Sequence, residues 1–350
     1  MSAASLALSG NRRIPHATRE RVREAAAALG YTPNGAARAL RSRRHGAIGL
    51  IMFGGVEPLT FYSEAVVAVA DEALRTEHQL VLLRAPMREG DAPRKGDLAR
   101  LLATARVDGA VCIGTKVTVD DVRVMERQQF PYIFIGKREL PGVTIPYVAC
   151  DYLGGGRLAT QHLLTLGHRR IAMLVPPEER GLPWNEDRLT GHAVAIAAVP
   201  GAEGPVIELP PPAPEHAGLA RRWIDDGITA AFANGRVAAS RVLGLCQLAG
   251  VRVPEQLALV AFDDFPEAAL AQPPLTVVRQ PLASLGTLAA RTLLARLGGA
   301  PHEPVIATLP AALVVRQSCG SPAAPTASNA STAPAARAVG QIPALNGATR

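Results

Sequence analysis

GAVCIGTKVTVDDVRVMERQQFPYIFIG, residues 109–136, decides the fold. GAVCIG (109–114) reads as a strand, VDDVRVMERQ (119–128) as a helix and YIFIG (132–136) as a second strand. A strand returning to a strand through a helix is the unit of a parallel sheet covered on both faces. The unit recurs in both directions. Upstream, AIGLIMF (47–53) and QLVLLRA (79–85) read as strands, with helices over about 61–77 and around LARLLATA (98–105). Downstream, the pattern restarts after VACD (148–151). Helices over about 153–166, 186–198, 215–225 and 236–249 alternate with strands RIAMLV (170–175), PVIEL (205–209), TAAFA (229–233) and LALVAF (257–262). Two runs of the pattern predict an α/β protein with two similar doubly wound lobes. Ligands of such sheets bind beyond the carboxyl ends of the strands. The strand-ending residues Asp151, Asn234, Asp263 and Asp264 are therefore the ones to watch.

The chain has 350 residues, 48% hydrophobic and 19% charged, which suits a globular body of about two domains. No apolar run approaches the roughly 18 residues that span a bilayer. Residues 1–11 lack the basic start and apolar stretch of a secretory signal, so a cytoplasmic protein is expected. Cys112, Cys150, Cys246 and Cys319 are far apart in sequence. Their spacing supports neither a zinc site nor a disulfide framework, and small buried side chains are expected instead. No cofactor or metal is expected. Residues 321–350 hold no acidic and no aromatic residue and read as a disordered tail.

The formal charge of +7 is concentrated at one end. Residues 1–46 hold nine arginines and two glutamates, whereas 47–350 balance at 28 basic and 28 acidic residues. HATRERVREAAAALG (16–30) is a helix with Val22, Ala25, Ala26 and Leu29 on one face and Gly30 as a C-terminal cap. TPN (32–34) is a turn, and AARALRSRR (36–44) follows it. A basic footprint beside a neutral body is what phosphate neutralisation requires. A solvated basic helix with a linker is the plainer alternative.

The residues of this end resemble the LacI/GalR (lactose-repressor/galactose-repressor) family of transcriptional regulators. The pieces are Ser5-Leu6-Ala7-Leu8-Ser9-Gly10, Thr18-Arg19-Glu20-Arg21-Val22, Leu29-Gly30-Tyr31-Thr32-Pro33-Asn34, Ala37-Arg38-Ala39-Leu40-Arg41 and Ile48-Gly49-Leu50, which fit without gaps. The resemblance implies a helix-turn-helix headpiece over 1–34 that reads the major groove and a hinge helix and linker over 35–46. The recognition helix falls at about Met1–Ser9. Met1, Ser2 and Leu6 take base-contacting positions, and Ser5 and Ser9 phosphate-contacting ones. Asn11, Tyr31, Asn34, Arg38 and Arg41 belong to the same DNA-binding set. Leu40 matches a hinge leucine that wedges between base pairs. The family's first helix precedes Met1, so the resemblance implies either a headpiece whose start lies upstream, the favoured reading, or a chain whose DNA binding is impaired by the missing helix.

The resemblance continues to about residue 318. It runs through Leu166-Gly167-His168-Arg169-Arg170, Arg188 with Gly191, Thr229-Ala230-Ala231-Phe232 with Asn234, Phe262-Asp263-Asp264, Gln280-Pro281 and Arg316 with Ser318. It implies a periplasmic-binding-protein-like body over 47–320, with lobe 1 at about 47–148 plus 281–309 and lobe 2 at about 151–277 plus 312–320. Three crossing strands join the lobes around a ligand cleft. Adjacent hydroxyls of a sugar-like effector call for bidentate Asp, Asn and Arg partners. Asp151, Arg188, Asn234 and Asp263 are expected to bind it, with Gln280 near a crossing strand and Phe61 and Tyr62 packing on the sugar face. The alternative for Asp151 and Asp263 is capping of the following helices. Gly235 and Tyr152 depart from the family's usual Asp and Asn, and His192 stands where an aromatic follows Gly191.

The expected function is a homodimeric repressor of transcription that binds an operator in double-stranded DNA under control of a small effector, with no membrane and no enzymatic role. Two alternatives belong to other classes. A stand-alone sugar-binding protein conflicts with the basic hinge and the missing signal. A dinucleotide enzyme lacks GxGxxG, for which Gly154-Gly155-Gly156 is a poor substitute.

Overall fold

The computed structural model describes Ala4, Ala7 and residues 14–29, 45–54, 57–85, 97–300 and 304–320. The tail 321–350 and every residue of the DNA-binding set named above lie outside them.

Among the described residues the chain begins with helix α1 (His16–Ala28). Lobe 1 then runs β1 (Ala47–Phe53), α2 (Glu57–Phe61), α3 (Ser63–Arg75), β2 (Gln79–Arg84), α4 (Asp97–Thr104), β3 (Gly109–Gly114), α5 (Val119–Arg127), β4 (Tyr132–Ile135) and β5 (Tyr147–Cys150). Lobe 2 runs α6 (Tyr152–Thr165), β6 (Ile171–Val175), α7 (Pro183–Ala197), β7 (Val206–Glu208), α8 (Leu219–Asp225), β8 (Ala230–Ala233), α9 (Arg236–Ala249), β9 (Ala258–Phe262), α10 (Pro266–Leu270) and β10 (Thr276–Arg279). The chain returns to lobe 1 with α11 (Leu282–Leu297) and β11 (Ile306–Leu309), then to lobe 2 with β12 (Ala312–Val314).

The two six-stranded sheets have the orders β11-β5-β4-β3-β1-β2 and β12-β10-β9-β8-β6-β7. All pairs are parallel except β10 with β12. Central strands are buried throughout, as β1, β3, β6 and β9 are, because helices cover both faces. Edge strand β2 carries only exposed and half-buried residues instead. The chain crosses between lobes at 150–152, 279–282 and 309–312, so the carboxyl edges of both sheets meet across these crossings.

Two helices differ from the sequence expectation. The helix expected over about 61–77 is α3, and the short α2 ahead of it was not expected. The helix over 215–225 is a 3-10 turn at Pro214–His216 followed by the shorter α8. All four cysteines are buried and free. Cap chemistry sets several helix ends. Thr118 and Asp121 form a reciprocal capping box on α5. Gly250 (φ 63°) ends α9 in the left-handed region.

Lobe 2 depends on a close approach of two helices. A Cβ at Gly191 of α7 would lie 2.1 Å from the Leu153 carbonyl oxygen of α6, and one at Gly156 would lie 2.4 Å from that of Arg188. The backbones therefore touch where these glycines face each other. Across the same contact His192 Nδ1 lies 2.9 Å from Thr160 Oγ1. His192 is 1% exposed, and burial holds its imidazole down at about 4. A base with a depressed folded value stabilises the fold above the ordinary value of about 6.5 and loses that contribution as pH falls towards 4. At pH 4 the loss amounts to about 3 kcal/mol. His192→Gln is expected to gain in melting temperature relative to the wild type as pH falls from 6.5 to 4; a difference that does not change with pH contradicts the assignment.

Candidate effector cleft

Five polar side chains from five separate segments form a continuous chain along the carboxyl edge of the lobe 2 sheet. Glu179 comes from the 3-10 turn Pro177–Glu179 after β6, and Arg188 from α7. Asn234 follows β8, Asp263 follows β9, and Gln280 lies on a crossing strand after β10. Asn234 Nδ2 donates to Glu179 Oε2 at 2.7 Å, and Asn234 Oδ1 accepts from Arg188 Nη1 at 3.3 Å. Arg188 Nη2 lies 3.8 Å from Asp263 Oδ2. Gln280 Nε2 donates to Asp263 Oδ1 at 2.6 Å. Using both ends of its amide fixes which way Asn234 points.

The local backbone explains these placements. Asp263 has φ 73°, which turns its carboxylate back under β9 instead of letting it cap α10, where Phe265 is the N-cap. Gly235 has φ 91°, and a Cβ there would sit 3.6 Å from both Arg188 Nη1 and Asp263 Oδ2. The Arg188 guanidinium lies on the Phe262 ring at 3.6 Å and faces Tyr152 at 5.2 Å. Such stacking suits a desolvated arginine. Burial raises the Asp263 carboxyl, while Arg188 and the hydrogen bond from Gln280 pull it back down.

Two buried polar atoms of this chain have no hydrogen-bond partner among the described residues: Arg188 Nε, a donor, and Gln280 Oε1, an acceptor. Arg188 is 3% exposed and Gln280 5%. Buried polar groups left unpaired are costly. A donor and an acceptor beside a carboxylate match a ligand hydroxyl, which both donates and accepts. Next to them a cavity of about 740 Å³ separates Phe61 and Glu64 of lobe 1 from Asp263, Phe265, Glu267 and Gln280 of lobe 2.

The remaining expected residues are placed differently. Phe61 lines the cavity and meets Tyr62 edge-on at 4.8 Å. Tyr62 is buried in the lobe 1 core, with its hydroxyl beside Gly136. Asp151 accepts from Gly154 N at 2.8 Å as the N-cap of α6, the alternative role considered for it, and it makes no bond to Arg188. Asp264, another strand-ending acid, is held by Arg316 at 2.8 Å and by Arg279. It ties β9 to the crossing segments and lines the same cavity as Asp263 and Gln280.

Sequence reasoning missed Glu179, Lys137, Arg138 and Trp184. Lys137, after β4, donates to Asp187 of α7 at 2.9 and 3.0 Å. Arg138 donates to the Gly114 carbonyl from Nε at 2.9 Å and Nη2 at 2.6 Å, and stacks on Trp184 at 5.4 Å. Both contacts join lobe 1 to lobe 2 beside the crossing strands. No sequence signal marks them, since the partners lie about fifty residues apart on different lobes.

At the basic end, α1 buries none of its residues, and Leu29 is 83% exposed. The expected cap Gly30 lies outside the described residues. The segment joins lobe 1 through Asp108, whose two carboxylate oxygens accept from His45 N at 2.7 Å and Gly46 N at 2.8 Å.

A charged cleft between two doubly wound lobes, behind a basic helical end, defines an effector-controlled regulator. Comparison with known proteins agrees. Residues 160–319 match the periplasmic binding protein-like domain. Over 322 residues the chain is 32% identical to the HTH-type transcriptional regulator CelR of Thermobifida fusca, covering 90% of this chain and 93% of that protein. The solved CelR–cellobiose complex matches with a TM-score of 0.64 at 30% identity, over 90% of this chain and 94% of that one. The lac repressor dimer bound to operator and an anti-inducer shares the fold, with a TM-score of 0.67 at 23% identity over 90% and 94% of the two chains. The chain belongs to the LacI/GalR family. It is a DNA-binding transcriptional regulator, not a stand-alone binding protein. Among the described residues no helix is long and apolar enough to cross a membrane.

Proposed function

We propose that the protein is a cytoplasmic, non-enzymatic repressor that binds its operator as a homodimer and is controlled by a sugar in the inter-lobe cleft. The observation that carries the effector half is the Arg188–Asp263–Gln280 cluster, with its unpaired buried donor and acceptor facing hydroxyl chemistry. A family member solved with cellobiose supports the sugar class. For the dimer, Val67 and Leu74 of α3, 61% and 78% exposed, stand seven residues apart as an unpaired apolar stripe. Ser2, Ser5, Leu6, Ser9, Asn11, Tyr31, Asn34, Arg38, Leu40 and Arg41 form the proposed DNA-binding set. A calorimetric panel of mono- and disaccharides that includes cellobiose tests the effector class; silence across the panel contradicts it.

Control follows from differential affinity of the effector for two lobe arrangements. The Lys137–Asp187 pair and the Arg138–Trp184 stack hold the arrangement described above. Asp187→Ala is expected to shift the unliganded lobes towards opening, read as a larger radius of gyration in solution scattering. An unchanged radius contradicts the latch. Asp108 ties residues 45–46 to lobe 1, which gives the lobes a mechanical grip on the DNA-binding end.

Leu40 in the arginine-rich hinge is the proposed minor-groove wedge. Leu40→Ala is expected to weaken specific binding by roughly 10-fold or more, since losing a buried leucine contact costs about 1.5–3 kcal/mol. A gel-shift titration at fixed salt, on a duplex selected from a random pool by the wild-type protein, measures it. Equal affinities contradict the hinge role.

A further inference from the structure

Glu179 ends a short turn between β6 and α7 and is half-buried at the head of the polar chain. The turn is pinned from α9, where Arg241 donates to Glu178 Oε2 at 3.2 Å and to the Leu209 carbonyl at 3.0 Å. That anchor aims Glu179 at Asn234, which donates to Oε2. The other end of the Asn234 amide is taken by Arg188. Asn234 is therefore occupied on both sides, and Glu179 Oε1 is left as an acceptor at the head of the polar chain.

We propose that Glu179 is an effector-contacting residue that accepts a ligand hydroxyl hydrogen and couples effector binding to release of a proton. It rests on the sugar reading above and adds a residue and a pH dependence to it. The groups facing Glu179 are Arg188 from α7, Asp263 after β9, Glu178 on its own turn and the neutral Asn234 amide. Burial pushes the Glu179 carboxyl up to about 7; Arg188 opposes this, and Asp263 and Glu178 add to it. Near neutral pH a large share of Glu179 is therefore protonated in the free protein. A hydroxyl donating to Glu179 favours the carboxylate, so binding drives the proton off. The Arg188 Nε and Gln280 Oε1 atoms, unpaired in the same chain, are the second sign that a hydroxylated ligand completes it.

The folded carboxyl lies above its ordinary value. Its contribution to stability is thus full below about 4.5 and lost as pH rises through about 7. Glu179→Gln, which mimics the protonated form, is expected to gain in melting temperature relative to the wild type as pH rises from 5 to 8; a difference that does not change with pH contradicts the assignment.

The deciding experiment titrates the intact protein with cellobiose at pH 6 and pH 8. Ionisation near 7 predicts an affinity about ten-fold higher at pH 8, with net proton release seen in buffers of different ionisation enthalpy. Glu179→Gln is expected to bind more weakly and without the pH slope. Wild-type affinity that is flat or falls with pH, or a Glu179→Gln variant that keeps the slope, overturns the proposal alone. No heat from cellobiose at either pH overturns the proposal, and silence across the sugar panel as well overturns the sugar reading with it.

Discussion

Arg188→Met is expected to lose effector binding by at least about 100-fold while leaving operator binding in place. Methionine keeps most of the volume on the Phe262 ring but removes every donor that Arg188 supplies to Asn234, Asp263 and the ligand. Removing one partner of a buried, hydrogen-bonded charge costs about 2–5 kcal/mol, because the other is left unpaired. Here the remaining partner is Asp263, whose carboxyl burial pushes up and Arg188 holds down, so losing the arginine pushes it further up and weakens it as an acceptor for adjacent hydroxyls. Calorimetry with the sugar bound by the wild type, together with a gel shift on the selected duplex, separates the two functions. An effector affinity within about three-fold of wild type places the ligand elsewhere; loss of DNA binding as well indicates a fold defect.

Gly191→Val carries the second large effect, and it acts on stability. The absent Cβ of Gly191 faces backbone atoms of α6, the Leu153 oxygen at 2.1 Å and the Arg157 nitrogen at 2.7 Å. Neither can rotate away as a side chain could. The two helices must separate, and Arg188 and His192 travel with α7. Overpacking a close contact costs about 1–3 kcal/mol and sometimes more, and a contact against backbone belongs at the upper end. A loss of about 3 kcal/mol lowers the melting temperature by roughly 6–12 °C in lobes of this size. A change below about 2 °C contradicts the close-packed account.

The lobes were legible from alternation because central strands such as AIGLIMF and GAVCIG are apolar without interruption. The short α2 ahead of α3 was not legible, because five residues are too few to show a 3.6-residue apolar period. Strand-ending position picks out Asn234 and Asp263, which Arg188 bridges, together with Asp151 and Asp264. A local cap and two arginines from the crossing segments claim those two acids. Arg188 lies within a helix and was singled out by resemblance to a family. Glu179 was invisible because PPEERG reads as an exposed turn. Its burial is produced by Asn234, Arg188 and the Arg241 anchor, all distant in sequence.

The central claim is that ligand in the cleft is felt at the DNA. The most direct measurement is fluorescence anisotropy of the selected duplex with wild-type protein, at fixed salt, with and without saturating sugar. Coupling of this kind predicts an affinity change of about 5- to 150-fold for the wild type and none for Arg188→Met. Identical wild-type curves, with the sugar shown by calorimetry to be bound, contradict the account.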